Sequence, residues 1–140
     1  MADGRGIVCG MGVTLPDPAR RLLDEHAFFV LTTLNPDGAP QSSVVWAKRD
    51  GDEVVFSSVR GRRKTRNMER DPRVSLCAYD VADPYSYVEI RGTVSMTTEG
   101  GDALINEMSQ IYQGQPWQEK HPVTRVVCRL TPTRVVMPVS

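Results

Sequence analysis

The chain has 140 residues, 40% of them hydrophobic and 24% charged, and its 17 basic and 17 acidic residues leave no formal net charge. That length fits one domain with a real core. The neutral balance argues against a dedicated nucleic-acid binder, which would be basic overall, and no apolar run approaches the length of a membrane span.

The opening "MADGRGIVCGMGVTLP" lacks the long apolar stretch of a signal peptide. Residues 1–14 are therefore expected to form a flexible arm, with a single domain over 15–140. "LPDPARRLLDEHA" predicts a short helix with Asp17 as N-cap and Pro18 at the first helical position. "FFVLTTLN" (28–35) is rich in β-branched and aromatic residues and predicts a strand. The turn "NPDG" (35–38) folds it back on a second strand, "PQSSVVWAK" (40–48), in which Trp46 is expected in the core. A third strand follows over 53–59.

Next comes "RGRRKTRN" (60–67), five positive charges in eight residues. A short helix is expected to begin within 61–66 and to stop before Pro72. "RVSLCAYD" (73–80) predicts a strand, "VADPYSY" a loop, and "YVEIRGTVSMT" (87–97) a half-buried strand. The stretch 100–114 predicts a helix with Leu104, Met108 and Ile111 as its apolar stripe. The final strands are expected to be interrupted near Pro132. Six or so strands with three short helices predict a mainly β (α+β) fold, an antiparallel barrel with helical insertions.

Cys9, Cys77 and Cys128 are far apart and form no CxxC pair. Cys77 and Cys128 lie in apolar runs and are expected as reduced core thiols of a cytoplasmic protein. His26 and His121 stand in unrelated contexts, which argues against a histidine-based metal site.

Five readings fit the basic stretch: a solvated face, a nucleic-acid contact, a membrane surface, a protein contact and a phosphate pocket. It contains no aromatic residue on which a base could stack, and only Met68 offers an apolar neighbour for a membrane. The phosphate reading has a specific geometry. "FSSVRGRRKTRN" runs from strand through a hydroxyl pair, Ser57 and Ser58, and a glycine turn to a helix start. Arg62 and Lys64 bring charge, and a helix N-terminus near Lys64 and Thr65 adds backbone N–H donors.

"NPDGAPQSSVVWA", "VFSSVRGRRKTRNMERDPRVSL" and "YSYVEIRGTV", in that order and spacing, resemble the pyridoxamine 5′-phosphate oxidase-like superfamily. Within it they are most similar to the deazaflavin-dependent split-barrel reductases that use coenzyme F420. The resemblance implies an FMN-binding type of split β-barrel and a homodimer with cofactor sites at the subunit interface. It implies hydride transfer between the deazaflavin and a small organic substrate, with neither nucleic acid nor membrane as partner. Relatives with this barrel also bind FMN or haem. The alternatives are thus an FMN-dependent pyridoxamine 5′-phosphate oxidase-like enzyme and a non-catalytic carrier. Gln41, Ser42, Ser43 and Val44 match the strand along which the ring lies, with only one of its two faces expected to line the pocket. Ser57, Ser58, Arg62, Lys64, Thr65 and Asn67 fall in the part that holds the phosphate and ribityl chain. Tyr85 and Tyr87 match residues given by the partner subunit, and Tyr87 is a candidate proton donor.

Overall fold

The turn at 35–38 and the strands on either side of it set the frame of the molecule. The computed structural model describes residues 7–8 and 12–138. In chain order its elements are β1 (Ile7–Val8), α1 (Asp17–Asp24), β2 (Phe29–Leu34), β3 (Pro40–Val45), β4 (Ala47–Asp50) and β5 (Glu53–Val59). There follow α2 (Arg63–Arg70), β6 (Arg73–Asp80), β7 (Asp83–Thr97), α3 (Gly101–Gln113) and β8 (Arg125–Val136). The strands form one antiparallel sheet in the order β3-β2-β6-β7-β8-β5-β4, with β1 added to β8. The two ends of that order, β3 and β4, are consecutive in the chain and separated only by Trp46. The sheet therefore curls back on itself, as expected for a split antiparallel barrel.

Strand alternation fills the barrel. Phe29 and Leu31 of β2, Leu76 and Ala78 of β6, Val88 and Ile90 of β7, and Cys128 and Leu130 of β8 are all buried in one core. Full burial of each of the Phe, Leu, Ile and Val side chains among them contributes about 1.5–3 kcal/mol. Cys77 faces outward between Leu76 and Ala78 and is only half-buried. The period of two puts its neighbours inside, so the expectation of a core thiol holds for Cys128 and not for Cys77.

Helix α1 packs Ala19, Leu22 and Leu23 against this core. Pro16 takes the N-cap place, and Asp17 is the first helical residue, where its carboxylate accepts from Arg20 at 2.6 Å. Ion pairs from Arg49 to Asp24 and from Arg21 to Asp80 tie the helix to β4 and β6. Val13 and Leu15, ahead of the helix, are buried in the same core. Of the arm expected over 1–14, residues 7–8 pair with β8, and 1–6 and 9–11 lie outside the described residues.

Two further differences concern strands. β7 already begins at Asp83, so "DPYSY" is strand rather than loop; Asp83 and Tyr87 pair with Asp80 and Tyr79 of β6, with a register shift between them. β8 runs unbroken through Pro132, because the register shifts opposite it at Gly92. A Cβ on Gly92 would sit 2.1 Å from the Thr131 carbonyl oxygen, so only glycine permits that close approach.

Candidate functional site

The break at Trp46 opens a cleft. β4 pairs with β5 no further than Ala47 opposite Phe56, whereas β5 continues through Ser57 to Val59. β3, on the other side of the break, pairs only with β2. The two strands thus diverge, each with a free edge toward the gap. The chain leaves β5, turns at Gly61 with φ +92, and enters α2 across the end of this gap. That positive φ is one an L side chain rarely adopts.

Lys64, in the first turn of α2, reaches across the cleft, and its Nζ donates to Ser43 Oγ on β3 at 3.4 Å. Burial, followed by the neighbouring charge of Arg62, lowers the Lys64 pKa below its usual value. No side chain caps the start of α2, so its first-turn N–H groups lack an intrahelical partner and favour negative charge. Among the described residues neither Arg62 nor Lys64 forms an ion pair.

These groups border a cavity of about 320 Å³. Its polar end is formed by Ser57, Arg62, Lys64 and Arg125, and its apolar wall by Val44, Val45, Trp46, Ile105, Met108 and Trp117. Trp46 stacks on Tyr112 with ring centroids 5.4 Å apart and meets Trp117 edge-on at 6.0 Å. It packs against the smaller apolar cluster of Val55, Leu104 and Met108, as expected of a core residue, and its remaining surface is a wall of the cleft. Tyr112 holds the break at this position. Its hydroxyl accepts the Ala47 N–H at 3.1 Å and lies 2.8 Å from the carbonyl oxygen of Ala27.

Most of the residues singled out from the sequence fall into three groups. Val44, Ser57, Arg62 and Lys64 line the cavity, and Ser43 touches it through Lys64. Val44 and Val45 point to opposite faces of β3, yet both border the cleft. The expectation that only one face would line it fails because the strand offers its free edge. Gln41 and Ser42 lie further along β3, where Gln41 Oε1 accepts from Thr33 at 3.3 Å and Ser42 shares a 2.8 Å hydrogen bond with Thr32.

Ser58, Thr65 and Asn67 form the second group, and their side chains are buried and turned inward. Ser58 and Thr65 share a 2.6 Å hydrogen bond, and Thr65 Oγ1 also contacts the Val59 carbonyl oxygen at 2.6 Å. Asn67 Nδ2 donates to Thr33 Oγ1 at 3.0 Å and to Asn35 Oδ1 at 2.9 Å. These side chains fasten α2 to the barrel. Tyr85 and Tyr87 form the third group. They lie on β7 outside this cavity, Tyr85 fully on the surface and Tyr87 half-buried.

Sequence reasoning missed Arg125, Trp117, Ile105 and Met108 as lining residues. Only the placement of Leu104, Ile105 and Met108 on one helical face was available as a signal.

A split barrel with a cationic cleft at the start of a helix defines the class of protein. The sequence pattern of "Pyridoxamine 5′-phosphate oxidase" matches residues 15–137, and the chain belongs to that family, whose members include oxidoreductases. A curated pyridoxine/pyridoxamine 5′-phosphate oxidase of Rubrobacter xylanophilus is 34% identical over 96 residues, 60% of this chain. The match spans 44% of that relative, less than half its length. Among solved structures, an F420 reductase superposes with a TM-score of 0.78 at 29% identity, over 86% of this chain and 98% of that one. A conserved hypothetical protein of Mycobacterium tuberculosis superposes with a TM-score of 0.71 at 19% identity, over 94% and 89% of the two chains. At that identity the likeness is one of fold.

Proposed function

We propose that this protein is a homodimeric oxidoreductase that binds the deazaflavin coenzyme F420 and passes hydride between it and a small organic substrate. The carrying observation is the pair Arg62 and Lys64, two cations that form no ion pair among the described residues, at an uncapped helix start beside an open strand edge. That donor set suits a phosphate. Guanidinium gives a planar fork and ammonium a compact charge, and the helix start adds N–H donors.

In this reading Arg62, Lys64 and the Ser57 hydroxyl hold the phosphate. The free edge of β3, from Gln41 to Val44, orients the ring system. When bound, the cofactor supplies the hydride chemistry. The apolar wall keeps water away from the reacting atoms, and Tyr87 of the second subunit is the proton donor at the substrate. The likeness to an F420 reductase supports the deazaflavin. The likeness to a pyridoxine/pyridoxamine 5′-phosphate oxidase supports a second reading, an FMN-dependent oxidase with the same phosphate site.

Parallel titrations of coenzyme F420 and FMN, followed by protein or cofactor fluorescence, separate the two. Tighter F420 binding is expected. Tighter FMN binding assigns the flavin reading, and no saturable binding of either removes the cofactor site.

A further inference from the structure

Arg125 is the first residue of β8 and the most deeply buried cation of the cleft, with 6% of its surface exposed. Its position is fixed from three sides. Nε and Nη2 donate to the two oxygens of Glu119 at 2.7 and 3.1 Å. Its guanidinium carbon lies 5.1 Å from the centre of the Trp117 ring. Its backbone is pressed against the start of α3, where a Cβ on Gly101 would come within 2.4 Å of the Arg125 carbonyl oxygen. The remaining nitrogen, Nη1, points at Ser57 Oγ, 3.4 Å away. That bond is long for N–H···O, and a guanidinium carries five N–H donors. Two are spent on Glu119, and the Nη1 side borders the cavity with Ser57, Arg62 and Lys64.

We propose that Arg125 is a third ligand of the anion bound in this cleft, and that Glu119 is its counterion in the free protein. The proposal rests on the phosphate reading of the cleft. A buried cation without a partner is costly, so the free protein needs a carboxylate beside Arg125. Glu119 meets that need from a segment between α3 and β8 that has no regular structure and leaves its side chain 31% exposed. The segment is anchored nearby, since the Trp117 N–H donates to Asn106 Oδ1 at 3.0 Å and Ser109 Oγ donates to the Gln115 carbonyl oxygen at 2.7 Å. Once an anion lies beside Ser57 and Nη1, within reach of both, the carboxylate opposes it through like charge. Glu119 therefore keeps Arg125 in place and also limits how tightly the cleft holds its ligand.

The test measures dissociation constants for coenzyme F420 and for FMN, in phosphate-free buffer, with wild type, Glu119→Gln, Arg125→Lys and Lys64→Ala, each checked by thermal melting. Glu119→Gln keeps an oxygen that accepts from Arg125 and removes the opposing charge. It is expected to bind about three- to tenfold tighter, the gain from deleting one nearby like charge. Arg125→Lys keeps the charge but loses the fork, and is expected to bind about tenfold weaker. A merely structural Glu119–Arg125 pair gives a lower melting temperature and no gain in affinity. If Glu119→Gln binds no tighter while Lys64→Ala binds weaker, the Arg125 proposal is overturned and the phosphate cleft stands. If Lys64→Ala binds as tightly as wild type, or wild type binds neither probe, the cleft reading fails and this proposal with it.

Discussion

Lys64, in the first turn of α2, and Arg49, on β4, are both cations, yet their surroundings differ in kind. Arg49 donates to both oxygens of Asp24 at 2.8 and 2.9 Å on the outside of the barrel. Lys64 sits half-sunk in the cleft with a single 3.4 Å hydrogen bond to a neutral hydroxyl. If its ammonium contacts the phosphate, Lys64→Ala removes a charge-assisted hydrogen bond of about 1.5–3 kcal/mol. Affinity for coenzyme F420 should then fall roughly ten- to a hundredfold, with the melting temperature held, while Arg49→Ala binds like wild type. The lowered Lys64 pKa adds a pH test. The unfolded chain keeps its proton to about the usual lysine value of 10.5, while the folded free protein loses it earlier. Between the two values the unfolded state carries more protons, so the free protein gains stability as pH rises. Cofactor affinity moves the opposite way, since it needs the charged lysine. Affinity measured against rising pH should begin to fall below 10.5. In Lys64→Arg that fall should be absent, because arginine stays charged over the whole range.

At the scale of the element, α2 serves the site by being held rigidly. Its polar inward residues are the reason. Asn67 satisfies Thr33 and Asn35 at once and accepts from Arg70, which also donates to the Leu34 carbonyl. Asn67→Ala should therefore destabilise the fold by about 1–3 kcal/mol, the cost of leaving buried polar groups unpaired. Urea unfolding measures that loss, and cofactor affinity extrapolated to fully folded protein should change far less than in Lys64→Ala. The sequence showed α2 as a short helix opening with basic residues, and it showed the hairpin of β2 and β3 through "NPDG". It did not show which polar residues of "GRRKTRN" face the barrel, because that depends on how the helix rolls against β2 and β5. Arg125 and Trp117 were illegible for a related reason. They meet Ser57 and Trp46 only after β8 pairs with β5 and α3 folds over the outside of that pair, and neither contact leaves a local pattern. Of the loop expected over 81–87, 81–82 form a turn and the rest is strand, held at its two ends by the pairs Asp83–Asp80 and Tyr87–Tyr79 across a register shift that no local pattern announces.

At the scale of the whole molecule, the barrel leaves an apolar outer face on β2, β3 and β6. Val30 and Val44 lie directly opposite each other across β2 and β3, and Cys77 lies opposite Val30 on β6. Val30 is 41% and Val44 63% exposed, and Phe28 and Tyr79 are exposed as well. Apolar surface gathered in this way on one sheet face suits the contact that the proposed homodimer requires. A second copy of the chain would cover it and the free edge of β3 together, the isologous arrangement usual for homodimers. The proposed homodimer thus has a named surface, and Val30→Lys tests it. Val30 is outside the cleft and on the solvent side of β2, so the change leaves the core and the phosphate ligands intact. Like charges brought face to face in a dry interface oppose association. Sedimentation at micromolar concentration should show a dimer for wild type and a monomer for Val30→Lys, with both chains folded by circular dichroism. Cofactor affinity should fall in the monomer even though Arg62 and Lys64 are untouched, if, as proposed, Tyr85 and Tyr87 of the second subunit complete the site. A monomeric wild type would remove the shared site. A monomeric Val30→Lys that binds cofactor as tightly as wild type would show that one subunit supplies the whole site.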